Sequence, residues 1–296
     1  MIKRRKIWFS ISITLVVLSL TSFFIWGLKP AIDFTGGSIL EIEYKDARPE
    51  VLEIKQALDN FGFNNVSVQP TGDRGVILRT KDLNENEHQA ILEAVNLSGA
   101  EQKRFDSIGP VIGKELTEKA ITSIILVLLM IVIFIAWSFR KVSRPVASWK
   151  YGVAAIIALA HDVIIPVGVF SYLGHFYGIE IDILFVTALL TILGFSVHDT
   201  IVVFDRIREN LKKGVGSSFE ETAELSLRQV VVRSLKTSLA IFLVVLSLFV
   251  FGADSTKYFA LTLIMGMFFG AYSSIFVASP ILVSWHNFSL SRKKGR

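Results

Sequence analysis

Six apolar stretches punctuate this chain: Ile7–Trp26, Ile121–Phe139, Tyr151–Tyr172, Ile183–Phe204, Leu235–Phe251 and Phe259–Trp285. A hydrocarbon core of roughly 30 Å is crossed by about 20 helical residues at ~1.5 Å each, with about 17 as the lower end of the usual range, and each stretch reaches that length. The pattern therefore predicts six transmembrane helices. The first follows the basic start MIKRRK. It is too long for the apolar part of a secretion signal, and no small-x-small cleavage site precedes Lys29-Pro30, so it is expected to persist as a span.

Residues 29–116 differ in texture, being charged, mixed and rich in turns. Ser38–Tyr44 alternates apolar and polar positions as a half-buried strand does, and Pro49–Asn60 has helical spacing that opens on Pro and closes near Gly62. Val66–Gln69 and Val76–Thr80 read as strands about the turn Thr71-Gly72-Asp73. Asn86–Val95 follows as a second amphipathic helix, and Glu101–Ile108 as a last strand. The order β-α-β-β-α-β predicts an α+β, ferredoxin-like domain. It holds no P-loop, no nucleophile motif and no dense His or carboxylate cluster, which suits binding or mechanical work better than catalysis. The expected organisation is a stub and first helix over 1–28, this domain over 29–116, a five-helix bundle over 117–289 and a basic tail over 290–296.

Charge orients these elements. Lys and Arg collect in the N-terminal segment, the loop Arg140–Lys150, the segment Asp205–Gln229 and the tail after Leu290. The opposite loops, Leu173–Asp182 and Gly252–Tyr258, together hold only Lys257. Positive residues stay cytoplasmic, so both termini are expected inside and the large domain outside. The net charge of +5 thus belongs to membrane topology and lipid contact rather than to a nucleic-acid surface. With no cysteine, disulfides, thiolate metal sites and thiol nucleophiles are excluded. No metal site or organic cofactor is expected.

The chemistry is expected where polarity breaks the apolar runs. Asp199, with His198 beside it, lies well inside the fourth span. A carboxylate at a helix centre costs on the order of 2.5–3.5 kcal/mol, which points to function. The span leaves the membrane through Asp205, Arg206, Arg208 and Glu209. Asp162, after His161, sits near the middle of the third span, and Arg233 begins the fifth, with Thr237 and Ser238 a turn further in. Depth counting places Asp199 and Arg233 at a similar level. Away from water an ionised carboxylate is costly without a nearby cation, so moving a guanidinium nearer or further releases or loads a proton. Ser196 and Thr200 flank Asp199 and are placed to carry water to it. A static ion pair that only fixes helix register is the alternative. For Asp162 a proton path and helix packing stay open. His161 reads as a structural hydrogen-bonder, and His198 as either that or a further titrating group. Gly266-x-x-x-Gly270 and Ala271–Ser274 have the spacing of close helix packing. SFEETAELSLRQ reads as an amphipathic cytoplasmic helix with a solvated charged face.

Several strings carry a family resemblance. Asp33, Phe34, Thr35, Gly36 and Gly37 (DFTGG) open the external domain, and IGPVIGKEL (Ile108–Leu116) closes it. AHDV (Ala160–Val163), GFSVHDTIVVFDRIREN (Gly194–Asn210) and RQVVVRSLKTS (Arg228–Ser238) follow. Together they resemble the SecF family of bacterial protein-export subunits, over nearly the whole chain. The resemblance implies a six-span half of an RND-type assembly, SecDF, in the bacterial inner membrane. It implies a separate SecD chain, the SecYEG channel and, indirectly, SecA as partners, with unfolded preprotein met on the outer side and the proton-motive force as driving energy. It also implies proton-linked roles for Asp199 and Arg233; Na⁺ stays open as the coupling ion. This sequence departs from the family pattern at His198 (usually Asn), Phe195 (usually Tyr) and Arg228 (frequently Asn). Two other functions share parts of the pattern. Half of a proton-coupled small-molecule or lipid exporter would use the same chemistry. An intramembrane aspartyl protease would use Asp162 and Asp199, but its GxGD context is missing, as is HExxH.

Overall fold

The computed structural model describes residues 1–96, 99–138 and 146–294. Phe139 and the basic loop residues Arg140, Lys141 and Arg144, like Arg296 of the tail, lie outside the described residues. The chain divides into two units, one of Met1–Lys29 with Thr122–Arg296 and the other of Pro30–Ile121.

In the larger unit a short 3₁₀ turn, Ile2–Arg4, precedes helix α1 (Arg5–Trp26). After the short α2 (Ile32–Thr35), α3 (Val51–Asn60) and α4 (Glu85–Val95) of the smaller unit come the long helices. These are α5 (Pro110–Ser138), α6 (Ser148–Tyr177), α7 (Ile183–Lys212), α8 (Phe219–Phe251), α9 (Asp254–Ser273) and α10 (Ser279–Lys294). A π-helical turn, Ser274–Ala278, joins the last two, so they form one apolar span. Among the described residues six helices are thus long and apolar enough to cross a membrane, as the sequence predicts. Half or more of the apolar window is buried in α6, α7 and α9–α10, against 11–17% in α1, α5 and α8. The first three form the centre.

Small residues set the packing. On α1, Ser22 donates to the Gly168 carbonyl of α6 (2.8 Å), and Ser171 donates back to the Ser22 carbonyl (2.9 Å). A β-carbon at Gly168 would collide with Ser19. On α9, Gly266 packs against Ile192 and Gly270 against Ser196, one turn apart on both helices. The Gly-x-x-x-Gly spacing is the α7–α9 contact itself. Pro280 follows the π turn; lacking an N–H, it cannot continue the regular helical ladder behind it.

Two helices differ from expectation in length. The amphipathic helix SFEETAELSLRQ and the fifth span are one rod, α8, capped by Ser218, whose hydroxyl accepts from the Glu221 amide. Its acidic face is not merely solvated: Glu220 pairs with Arg5 at 3.3 Å, and Glu224 accepts from the Ile2 amide at 2.8 Å. In α5, the polar turns from Pro110 onward are already helical, because Pro suits a helix start and the following residues continue the helix before Ile121.

The smaller unit holds β1 (Gly37–Tyr44), β2 (Ser67–Thr71), β3 (Gly75–Thr80) and β4 (Ala100–Ile108). The sheet is antiparallel in the order β2-β3-β1-β4, with a register shift between Glu41 and Ile42 against β4. Alternation sends Leu40, Ile42, Tyr44, Val76 and Leu78 to one face, where they pack with Ile54, Leu58, Ile91 and Val95 of α3 and α4. Tyr44 donates to the Val95 carbonyl at 3.2 Å, and burial pushes its phenol up to about 12. Asn84 and Glu87 form a reciprocal capping box at the start of α4, and the Asn84 amide with Lys81 holds the Glu87 carboxyl below its ordinary range. Gly36 and Gly37, at φ +70° and +127°, turn the chain into β1 where any β-carbon on Gly37 would stand 2.7 Å from the Thr80 carbonyl oxygen.

Candidate functional site

The site lies where α6, α7, α8 and α9 meet. A cavity of about 510 Å³ is lined by Ser196, His198 and Asp199 of α7, Thr237 and Ser238 of α8, and Gly270 of α9. Asp199 is half-buried. The hydroxyls of Ser234 and Ser238, one turn apart on α8, face its carboxylate. His198 is exposed on the same cavity. Among the described residues no group of three or more His, Cys, Asp or Glu is gathered as for a metal.

Arg233 takes a different place. It is exposed, and among the described residues no ion pair joins it to Asp199. Each residue step turns a helix by about 100°, so Ser234 and Ser238 share the face toward α7 while Arg233 lies beside it. Its carbonyl accepts from the Thr237 hydroxyl at 3.1 Å. The flanking hydroxyls also turn elsewhere. Thr200 bonds Ser274 at 2.9 Å, and Ser196 donates to Asp162 at 2.5 Å.

Asp162 is the most enclosed acid in the membrane unit, with no exposed surface. Ser273 of α9 donates to the same oxygen, Oδ2, at 2.7 Å, and His161 Nδ1 lies 2.9 Å from Oδ1. His161 is 4% exposed, stacks on Tyr272 (ring centroids 5.9 Å apart) and has a buried Nε2 without a hydrogen-bond partner. Sequence reasoning identified Asp162 but missed this node. Ser273 and Ser274 read there only as small packing residues, and adjacent positions would not be expected to serve two partners. Here Ser273 turns to Asp162, while Ser274, at the start of the π turn, turns to Thr200. Such one-turn π distortions are frequent at functional sites.

At the far end of α7 the charged exit is knitted to α8. Arg206 pairs with Glu209 and donates to Gln229 at 2.7 Å, and Arg208 lies 3.9 Å from Asp205. The buried Asn210 amide donates to both Ser226 and Gln229 at 2.8 Å. In the smaller unit the motif Asp33–Gly37 is clasped to the start of α5. The Thr117 hydroxyl lies 3.4 Å from the Phe34 carbonyl, while that of Thr35 turns back to Ala31.

The chain resembles known proteins over most of its length. Residues 87–288 match the family described as protein export membrane protein SecD/SecF, C-terminal, and residues 21–47 match the SecD/SecF GG motif. The protein translocase subunit SecF of Thermobaculum terrenum is 42% identical, over 97% of this chain and 93% of its own length. That of Anaerolinea thermophila is 36% identical over 96% and 93%. Among solved structures, SecDF of Thermus thermophilus, a translocon-associated membrane protein, aligns with a TM-score of 0.82 at 31% identity. SecDF in its super-membrane-facing form gives 0.68 at 32%. Both alignments cover 97% of this chain, which spans 38% of the length of either SecDF chain. With six apolar helices, the opening glycine pair and near full-length similarity to its relatives, the chain belongs to the SecF family of protein translocase subunits.

Proposed function

We propose that this subunit uses the proton-motive force at Asp199 to promote the late stages of preprotein translocation. One observation carries the reading: Asp199 stands inside an apolar helix, opens onto a cavity and carries no ion-paired cation among the described residues. An acid so placed changes charge state when a cation approaches or retreats. Arg233, exposed beside the α8 face that Asp199 meets, is the proposed moving cation. Ser234, Ser238 and Thr237 supply polar groups along the way, and His198 is a second group open to the same cavity. Asp162 is proposed as a further proton-linked acid.

The subunit is proposed to lie in the bacterial inner membrane with both termini cytoplasmic and the Pro30–Ile121 unit outside, facing emerging unfolded preprotein. A separate SecD-type chain would complete the transport core, as two related halves do in repeat-built transporters. The assembly would act with the SecYEG channel and, indirectly, SecA.

The test is preprotein translocation into vesicles carrying the complete assembly, with and without an imposed pH gradient. The gradient is expected to stimulate the wild type and not Asp199→Asn. Equal stimulation of both overturns the reading, and stimulation by a Na⁺ gradient instead of a pH gradient reassigns the coupling ion.

A further inference from the structure

Ser196 and Gly270 belong to two surroundings at once. Both line the cavity that holds Asp199, and both touch the closed node around Asp162. Ser196 gives its hydroxyl hydrogen to Asp162 Oδ2, leaving its oxygen lone pairs free to accept a hydrogen bond. Gly270 matters by what it lacks. A β-carbon there would stand 3.4 Å from that of Ser196 and 3.8 Å from Asp162 Oδ2, between the buried acid and the open space.

We propose that Asp162 is a second proton carrier served from the Asp199 cavity through the Ser196 hydroxyl, with His161 as the positioning residue that fixes its orientation. This rests on the proton-coupled reading of Asp199 and adds a route and residues to it. A proton donor in the cavity gives H⁺ to Ser196 Oγ, and Ser196 passes its own hydroxyl hydrogen to Asp162 Oδ2. Ser196 ends as it began, the carboxylate becomes a neutral acid, and one proton has moved inward. Release is the reverse.

His161 is built for the supporting part. With Nδ1 protonated it donates to Asp162 Oδ1 in either charge state, and its buried Nε2 remains a bare lone pair with no donor to pull it away. Ser273 holds Oδ2 from the α9 side, so the carboxyl group cannot swing while it is loaded. Titratable groups facing the node are His161 and Tyr272, with Asp199 and His198 on the cavity side. A buried carboxylate without a cation is costly in a membrane, and taking up a proton removes that cost. The cavity has room for a chain of water molecules at about 30 Å³ each.

The experiment uses the complete assembly in vesicles, with gradient-driven translocation and infrared detection of protonated carboxyl groups. Ser196→Ala keeps the volume and is expected to lower gradient-driven stimulation roughly tenfold or more, as loss of a proton-transfer group does, leaving gradient-independent translocation unchanged. Gly270→Ala is expected to lower it in the same direction. In an Asp199→Asn background a titrating carboxyl band should remain that vanishes with Asp162→Asn and responds more slowly to a pH jump with Ser196→Ala. Wild-type stimulation in both Ser196→Ala and Gly270→Ala overturns the relay, as does absence of an Asp162 band in the Asp199→Asn chain. Neither outcome touches the Asp199 reading, which fails only if Asp199→Asn is itself stimulated.

Discussion

Gly113 meets Gly36 main chain to main chain: a β-carbon on Gly113 would stand 2.8 Å from the Gly36 nitrogen. The turn that opens the smaller unit and the helix that leaves it are therefore clasped within that unit. Gly36 itself sits at φ +70° against Pro110, so neither partner tolerates a side chain. Gly113→Ala is expected to cost about 1–3 kcal/mol, the usual range for overpacking. Gly109→Ala, with nothing within 4 Å of its β-carbon position, should be silent. Thermal unfolding of the full chain in detergent compares the two. Equal midpoints would show that the glycine pair is not a packing requirement.

Tyr44 gives the smaller unit a pH limit. Its phenol is 1% exposed and pushed up to about 12, while in the unfolded chain it ionises near 10. The folded state then binds more protons than the unfolded state across that interval. Stability is fully present below about pH 10 and falls on the way to pH 12, by on the order of 2 kcal/mol. Tyr44→Phe is expected to start about 1 kcal/mol less stable, having lost the bond to the Val95 carbonyl, and to show a flatter alkaline profile. Denaturant midpoints at pH 9 and above pH 11 decide this, and identical pH slopes would remove Tyr44 from the account.

The hairpin between α7 and α8 depends on Asn210, which is 2% exposed and donates to Ser226 and Gln229. Replacing it by Ala leaves the buried Ser226 hydroxyl of α8 without this donor, a cost of about 1–3 kcal/mol. Arg206 still reaches Gln229, so the loss should be partial. Cysteine pairs placed across α7 and α8 in this cysteine-free chain would report loosening as faster or less selective crosslinking.

The sequence made the frame and one half of the site readable, for a physical reason in each case. Six spans stand out because lipid tolerates only long apolar helices, and the alternation of Ser38–Tyr44 marks a strand whose one face is buried. Asp199 stands out because a carboxylate in oil is rare by type alone. The partners of Asp162 do not, since serine beside glycine is ordinary packing composition in membrane helices. The arrangement of Ser273 and Ser274 comes from a π turn that only Pro280 hints at. Depth counting set Arg233 level with Asp199, but depth carries no angular information. A single residue step around α8 puts Ser234 on the face toward Asp199 and Arg233 outside it.

That angular offset makes Arg233 the most informative residue to change. If a guanidinium must approach Asp199 to expel its proton, α8 has to turn or slide, because in this arrangement the cation is exposed and Ser234 and Ser238 occupy the facing positions. Two charges ~4 Å apart at an effective dielectric of 20 interact by about 4 kcal/mol, ample to move a proton on or off. Arg233→Ala is therefore expected to reduce gradient-driven stimulation to the level of Asp199→Asn. Arg233→Lys should keep a part of it, because the charge remains while the planar fork is lost. Vesicle translocation under an imposed pH gradient measures all three variants side by side. Full stimulation in Arg233→Ala would leave Asp199 to exchange protons without this cation, and the moving-cation half of the mechanism would have to be abandoned while the acid itself kept its place.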